Sequence, residues 1–364
     1  MLNKYLKKSI QNLIPYTWED TTEQIAKKNN LKPAQIIRLD YNTPASPPDC
    51  YDDFIKVISK KRDVNEYLDF DYEKLKILIA KYENCKTNQV VCGNSGDEMI
   101  DIIAKCCLNY NDRFIISSPT YSVYKIQSEL VSGKVQDIPL DKNWQIDDKK
   151  IIAKSKNKNV KLIFICNPNN PTGTISEPKK IENIIKKANA LVVVDEAYGE
   201  FYGKSFKKLI NKYNNLIILK SFSKFARIAS ARVGYVLTNQ ELATKLDGIR
   251  FPMGIPYFSM ELAKMVLKKD LENIYKTIKQ TISERERIKN ILLNNNIKFA
   301  DSQANFLLIQ LDKNSKPVIK KLAKKGIIVR DRNSQIKNSI RVTVRDKKTN
   351  NLFLNELIKN LWKK

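Results

Sequence analysis

The 364-residue chain contains no histidine. That excludes His-based triads, His metal sites and imidazole general bases, so acid–base work falls to Lys, Tyr, Asp, Glu or Cys. No apolar run approaches the roughly 20 residues of a membrane span. Residues 1–14 mix lysines with apolar side chains and lack the continuous apolar core of a signal peptide. Cys50, Cys85, Cys92, Cys106, Cys107 and Cys166 form no CxxC pair and lie mostly in apolar runs. They read as small buried hydrophobes in a reducing compartment. No internal repeat is visible. The expectation is a cytoplasmic protein with no membrane segment and no metal.

What is present is charge of one sign. Lys and Arg number 65 against 39 Asp and Glu, a formal net charge of +26. The lysines are spread along the whole chain and no basic block stands apart. A solvated lysine coat is therefore expected, and not a nucleic-acid surface. Such a field would also draw in phosphorylated substrates, an effect that salt screens. With 42% hydrophobic and 29% charged residues the composition is globular.

Short apolar runs alternate with helix-patterned segments between residues 85 and 240. The runs are Gln89–Cys92, Arg113–Ile116, Val160–Cys166, Ala190–Val194, Leu216–Leu219 and Val233–Leu237. Five or six strands separated by helices imply an α/β fold, with a mostly parallel, helix-covered central sheet and a site along one edge. From Asn239 the texture changes. Long charged helical patterns over 259–295 precede the strands Asn305–Ile309 and Ser339–Val344, which marks a smaller α+β domain. The expected division is an N-terminal arm (1–44) joining the small domain, a large domain (45–245) and a small C-terminal domain (246–364).

Chemistry-bearing residues follow the strands. Ser95–Gly96–Asp97–Glu98 opens a helix after Gln89–Cys92. Such a turn aims backbone N–H groups and the helix dipole at one spot, as an anion site or as a plain capped turn. Tyr121 leaves the next strand through Pro119–Thr120, placed either to stack on a flat ring or to fill the core. Asn167–Pro168–Asn169–Asn170–Pro171–Thr172–Gly173 holds asparagines between prolines. Asp195 ends the Ala190–Val194 strand, where open α/β sheets place functional acids. Lys224, flanked by Ser221 and Ser223 and followed at eight residues by Arg232, comes after Leu216–Leu219. A lysine so placed is open to desolvation, which lowers its pKa and makes its amine a nucleophile suited to a Schiff base. Read alone, the same stretch is equally a surface lysine in a lysine-rich chain.

Jointly these motifs, with Asp195–Glu196–Ala197–Tyr198–Gly199–Glu200–Phe201, Gly326–Ile327–Ile328–Val329–Arg330 and Arg341–Val342–Thr343–Val344, resemble the fold-type I, pyridoxal-phosphate-dependent aminotransferases. The likeness is strongest to the histidinol-phosphate aminotransferase branch and runs from about Ile36 to the C-terminus. The resemblance implies pyridoxal 5′-phosphate as cofactor, with Lys224, Asp195 and Tyr198 catalytic. Lys224 would carry the cofactor and shuttle protons. Asp195 would pair with the ring nitrogen. Asn170 and Tyr198 would bond the ring oxygen, and Tyr121 would stack on the ring. Ser95, Gly96, Asp97, Ser221, Ser223 and Arg232 would hold the cofactor phosphate. Tyr67 would reach it from the other subunit of a homodimer. Arg330 and Arg341 would clamp the substrate anion, with Tyr16 and Asn42 also on the substrate side.

The resemblance implies a small phosphorylated keto or amino compound and an amino donor such as glutamate as substrates. Decarboxylation of a phosphorylated amino acid on the same scaffold is the alternative. Three positions depart from the family pattern: Tyr41–Pro47 replaces its Asn-Glu-Asn-Pro segment, Leu68 its proline after the tyrosine, and Arg345 its glycine after the last strand.

Overall fold

Burial on both faces of the central strands sets the architecture of this computed structural model, in which residues 2–11, 19–67 and 69–362 are described. A short strand, β1 (Ile37–Arg38), precedes the large sheet. Its strands are β2 (Val90–Gly93), β3 (Arg113–Ile116), β4 (Lys134–Asp137), β5 (Val160–Cys166), β6 (Leu191–Asp195), β7 (Leu216–Ser221) and β8 (Gly234–Leu237). Across the sheet the order is β2, β8, β7, β6, β5, β3, β4. Strand β8 runs antiparallel to both neighbours, and every other pairing is parallel.

Because side chains alternate across a strand, each run feeds two cores. Leu216 and Ile218 join Val192 and Val194 on one face. Ile217 and Leu219 join Val193 and Phe164 on the other. Helices Glu73–Glu83, Pro178–Lys187 and Tyr257–Lys269 cover the first face; Ser95–Cys107, Val123–Leu130 and Gln240–Ile249 cover the second. Ile181, Ile184 and Ile185 show the helical spacing that makes this possible.

The smaller sheet contains β9 (Lys298–Phe299) and β10 (Phe306–Gln310). A separate short strand, β11 (Ile327–Ile328), comes next, followed by the small sheet's β12 (Arg330–Asp331) and β13 (Ser339–Thr343). Its order is β12, β13, β10, β9, all antiparallel. Strand β1 pairs in parallel with β11, Ile37 beside Ile327, so the N-terminal segment is tied to this unit. A third core of Leu39, Leu307, Ile309, Val342, Phe353 and their neighbours lies beneath it.

The central sheet is mostly parallel and helix-covered, as the alternation predicts, but it has seven strands. The added one, β4, is a polar edge strand with no fully buried residue, so it carries no apolar run. The 259–295 pattern is two helices, Tyr257–Lys269 and Leu271–Asn294, separated by Asp270. The first packs on the large sheet's core. Helix Asp148–Ser155, lysine-rich and polar, still buries Ile151 and Ser155. Among the described residues no helix is long and apolar enough to cross a membrane.

Asp270 has a structural task at its break. Its carboxylate accepts from Arg227 Nη2 (3.2 Å) and from the Asp49 N–H (3.0 Å). Both side chains are withdrawn from solvent, at 4% exposure for Arg227 and 1% for Asp270. Arg227 Nη2 also donates to the exposed Asp49 carboxylate at 2.7 Å, so removing Asp270 takes away the buried one of its two carboxylates. D270A should lower unfolding stability by about 3 kcal/mol, measured by denaturant titration.

Candidate active site

The parallel register brings the strand ends into line: Cys166 lies beside Asp195 and Asp195 beside Leu219. Ser221 pairs with Gly234, and Gly234 with Gly93. A cavity of about 370 Å³ opens over these ends, bounded on its far side by the small sheet. Its walls include Ser95, Gly96, Asp97, Tyr121, Asn170, Asp195, Tyr198, Ser221, Ser223, Lys224, Arg232, Asn42, Arg330 and Arg341.

One glycine makes the close contact possible. A Cβ on Gly234 would stand 2.4 Å from the Gly96 nitrogen and 2.4 Å from the Ser95 carbonyl carbon. Strand β8 can therefore press against the turn that opens helix Ser95–Cys107. Glu98 Oε2 accepts from the Asn94 N–H (2.5 Å) and closes that turn. Asp97 Oδ2 accepts from Arg232 Nη2 (2.8 Å), and its Oδ1 accepts from Tyr121 Oη (2.8 Å). Ser221 Oγ accepts from the Ser223 N–H at 3.1 Å. Arg232 takes a left-handed conformation, φ +53°, directly after a short 3-10 turn. Helix N–H groups, two hydroxyls and a guanidinium thus converge at one end of the cavity, a donor set for an anion.

Lys224 stands in the turn after β7. Its Nζ donates to the Tyr41 carbonyl at 3.0 Å. Withdrawal from water, then the positive charge of Arg341 and that of Arg232, push its pKa down to about 8, with Asp97 opposing. Across the cavity Asp195 is buried at the end of β6. Its Oδ2 accepts from Tyr124 Oη (2.5 Å) and its Oδ1 from the Ala197 N–H (2.9 Å). Burial raises its pKa to about 6. Among the described residues no Lys or Arg stands within ion-pair distance of it. An acid so placed is matched to a cation brought in by something else.

The substrate side is built from distant segments. Arg341 donates through Nη1 to Asn170 Oδ1 (2.7 Å) and through Nη2 to the Asp40 carbonyl (2.6 Å). Asn42 Nδ2 donates to Tyr198 Oη at 2.9 Å. Burial pushes the Tyr198 phenol up to about 12. Arg330 is paired with Glu19.

Among the described residues, one expected side chain is not in this cavity. Tyr67 is 75% exposed and does not line it. Tyr16 falls outside the described residues. Arg345 lines a separate cavity of about 570 Å³ with Pro44, Ser46, Arg227 and Thr281. Sequence reasoning passed over Glu19, Asp40, Tyr41, Tyr124 and Arg332. Tyr124 lies three residues after Tyr121, which puts both on one side of a helical turn. Arg332 follows Arg330 by two, the spacing of one strand face. Those two signals were available, and Tyr41 stood at the head of the segment that departs from the family pattern; for Glu19 and Asp40 there was none.

An open α/β sheet with a desolvated lysine and a buried acid at its strand ends defines a group-transfer enzyme of the fold-type I kind. Residues 34–357 match the family model "Aminotransferase class I and II". The chain belongs to that family. It is 33% identical over 324 residues to a histidinol-phosphate aminotransferase of Caldanaerobacter subterraneus subsp. tengcongensis, covering 88% of this chain and 92% of that one. Among solved structures, the histidinol-phosphate aminotransferase of Clostridium acetobutylicum is 28% identical with a TM-score of 0.77, covering 89% of this chain and 99% of that one. The Sinorhizobium meliloti histidinol-phosphate aminotransferase, solved with pyridoxal-5′-phosphate, shares the fold at 20% identity. Its TM-score is 0.87, over 98% of this chain and 97% of that one.

The position of Lys224 makes a direct prediction. Only a neutral amine reacts with formaldehyde and is trapped by borohydride. Labelling of Lys224 in the cofactor-free protein, followed by peptide mapping, should rise with pH and reach half its plateau near pH 8. The exposed lysines should still be rising above pH 10.

Proposed function

We propose that this chain is a pyridoxal-phosphate-dependent aminotransferase that moves an amino group between a donor of the glutamate type and a small phosphorylated keto compound of the histidinol-phosphate kind. One observation carries the reading: a lysine amine with its pKa lowered to about 8 faces a buried, cation-free carboxylate across one cavity. Pyridoxal phosphate, when bound, supplies an aldehyde that takes up the amino group and a ring that accepts electrons from the substrate carbon. The donor set fits it. Ser95, Gly96, Asp97, Ser221, Ser223 and Arg232 would hold its phosphate, Asp195 would keep its ring nitrogen protonated, and Tyr121 would serve as the aromatic partner of the ring. Asn170 and Tyr198 serve the ring oxygen, Asn170 while also fixing Arg341.

Lys224 Nζ takes the proton from the substrate carbon and returns it elsewhere along the same reaction. Arg341 and Arg330 receive the substrate's anionic group, Arg330 after exchanging Glu19 for it. The name shared by relatives at 30–33% identity over most of their length supports the phosphorylated substrate. Homodimerisation fits the exposure of the large apolar side chains Val64, Tyr67, Phe70 and Phe251, with Tyr67 serving the partner's phosphate site. A cytoplasmic location fits the six free cysteines.

Glutamate added to the cofactor-loaded protein should change its absorbance and release one 2-oxoglutarate per site. If carbon dioxide appears instead, from phosphoserine or phosphothreonine, the chain is a decarboxylase. K224A should lose about 10²–10⁴-fold in turnover, read in the same assay.

A further inference from the structure

Behind the cavity, on the opposite side of the strand ends, lies a buried charge cluster that the proposed reaction does not use. Lys220 Nζ stands 3.0 Å from Glu200 Oε1, 3.5 Å from Glu83 Oε1 and 3.7 Å from Glu196 Oε2. Lys207 Nζ reaches Glu83 Oε2 from the rim at 2.6 Å. Tyr235 Oη donates to Glu83 Oε1 at 2.5 Å. The Phe206 N–H donates to Glu196 Oε1 at 2.8 Å, and Ser205 bonds the same carboxyl. Tyr82, hydrogen-bonded to Tyr275, closes the cluster from the helical side. The three glutamate side chains and Lys220 are no more than 7% exposed.

The charges do not balance. Three carboxylates meet two ammoniums, which leaves one negative charge in excess in a buried site. A buried charge with no partner is expensive, and such a group takes up a proton instead. Of the three, Glu196 is farthest from Lys220, and its Oε2 accepts no hydrogen bond. Glu83 has two lysines and a tyrosine, and Glu200 has the shortest contact to Lys220.

The cluster also has a mechanical position. Glu196 follows Asp195 directly, and its N–H donates to the Leu219 carbonyl of β7 at 2.8 Å. Tyr198 lies between Glu196 and Glu200. Lys220 precedes Ser221, in the strand that leads to Lys224. We propose that Glu196 holds one proton in the resting enzyme and that the cluster, so balanced, clamps residues 195–200 to β7. Asp195 and Tyr198 are thereby fixed relative to Lys224. Glu196, Glu200 and Lys220 are positioning residues that never touch the cofactor.

The individual groups titrate accordingly. Burial raises Glu196 to about 7, with Lys220 pulling the other way. Glu200 is also raised by burial. Lys220 and Lys207 hold Glu83 low against its own burial. The three carboxylates hold Lys220 charged.

Two measurements on the cofactor-loaded protein test this. In folded protein Glu196 keeps its proton between about pH 4.5 and 7, where the unfolded chain has lost it. Its contribution to stability is full below that window and lost as pH rises through about 7. E196Q carries no such titration. Between pH 5 and pH 8 the melting temperature of the wild type should fall by about 3 °C more than that of E196Q. A gap that stays constant with pH, or moves the other way, overturns the proton assignment.

The clamp is tested by E200Q, which weakens the shortest contact to Lys220. Its kcat per cofactor-loaded site should drop about tenfold, with the KM for the amino donor within about threefold of wild type. Unchanged kcat per loaded site would overturn the clamp. The clamp rests on the reading of Asp195 and Tyr198 as cofactor residues. The melting comparison does not need that reading, so the two failures are distinguishable.

Discussion

Taking one lysine amine out of water is the constraint around which this protein is arranged. An ammonium in bulk solvent stays charged until above pH 10. At about pH 8, where Lys224 titrates, roughly one amine in ten is neutral at pH 7. That fraction is enough for chemistry. It requires the lysine to sit on a turn that the sheet cannot avoid. Strand β7 is buried along its whole length, and the chain leaves it between the end of parallel β6, the start of antiparallel β8 and the N-terminal segment. Tyr41 contributes a carbonyl to Nζ and no charge, so the amine is held without being locked in its ionised form.

The opposite requirement is met at Asp195. Its carboxyl is raised only to about 6, so at pH 7 about nine in ten are ionised despite burial. Tyr124 and the Ala197 N–H make this possible by donating to both oxygens. An acid and a base with their pKa values moved toward each other, in one cavity, is the arrangement that marks functional sites. Arg341 acts on the lysine end of the contrast: its charge depresses Lys224, while its guanidinium donates to Asn170 and to the Asp40 carbonyl.

Much of this was legible in the sequence, for a physical reason. Buried parallel strands are written as continuous apolar runs, and residues at their carboxyl ends must share one edge. Lys224, Asp195, Asn170 and the Ser95–Asp97 turn were therefore found together from one dimension. Strand β4 was not, because an edge strand buries little and needs no apolar run. The break at Asp270 was hidden because its neighbours keep helical spacing on both sides. Tyr124 was not singled out, since a hydrogen bond to Asp195 leaves no mark on hydrophobic pattern. The small-domain side was least legible: Asn42 meets Tyr198 across 156 positions and Arg341 meets Asp40 across 301. No local pattern encodes such pairs.

The departures from the family pattern also divide by place. Asn42 lies inside the cavity and bonds Tyr198, so the altered Tyr41–Pro47 segment shapes the site through its first residues. Pro44, Ala45 and Ser46 face the other way, into the cavity that Arg345 lines. The segment is a wall with two sides. A bulky arginine where the family has glycine is accommodated because it turns toward that second cavity. Its burial there lowers its pKa, with Asp346 and Asp40 offsetting part of the effect. Arg330, Arg332 and Arg341 therefore line this side of the first cavity, and Arg345, which lines the second, is linked to it by the charge of Asp40. A substituent at one departure is thus buffered by the segment that contains the other, which ties the two changes into one structural adjustment.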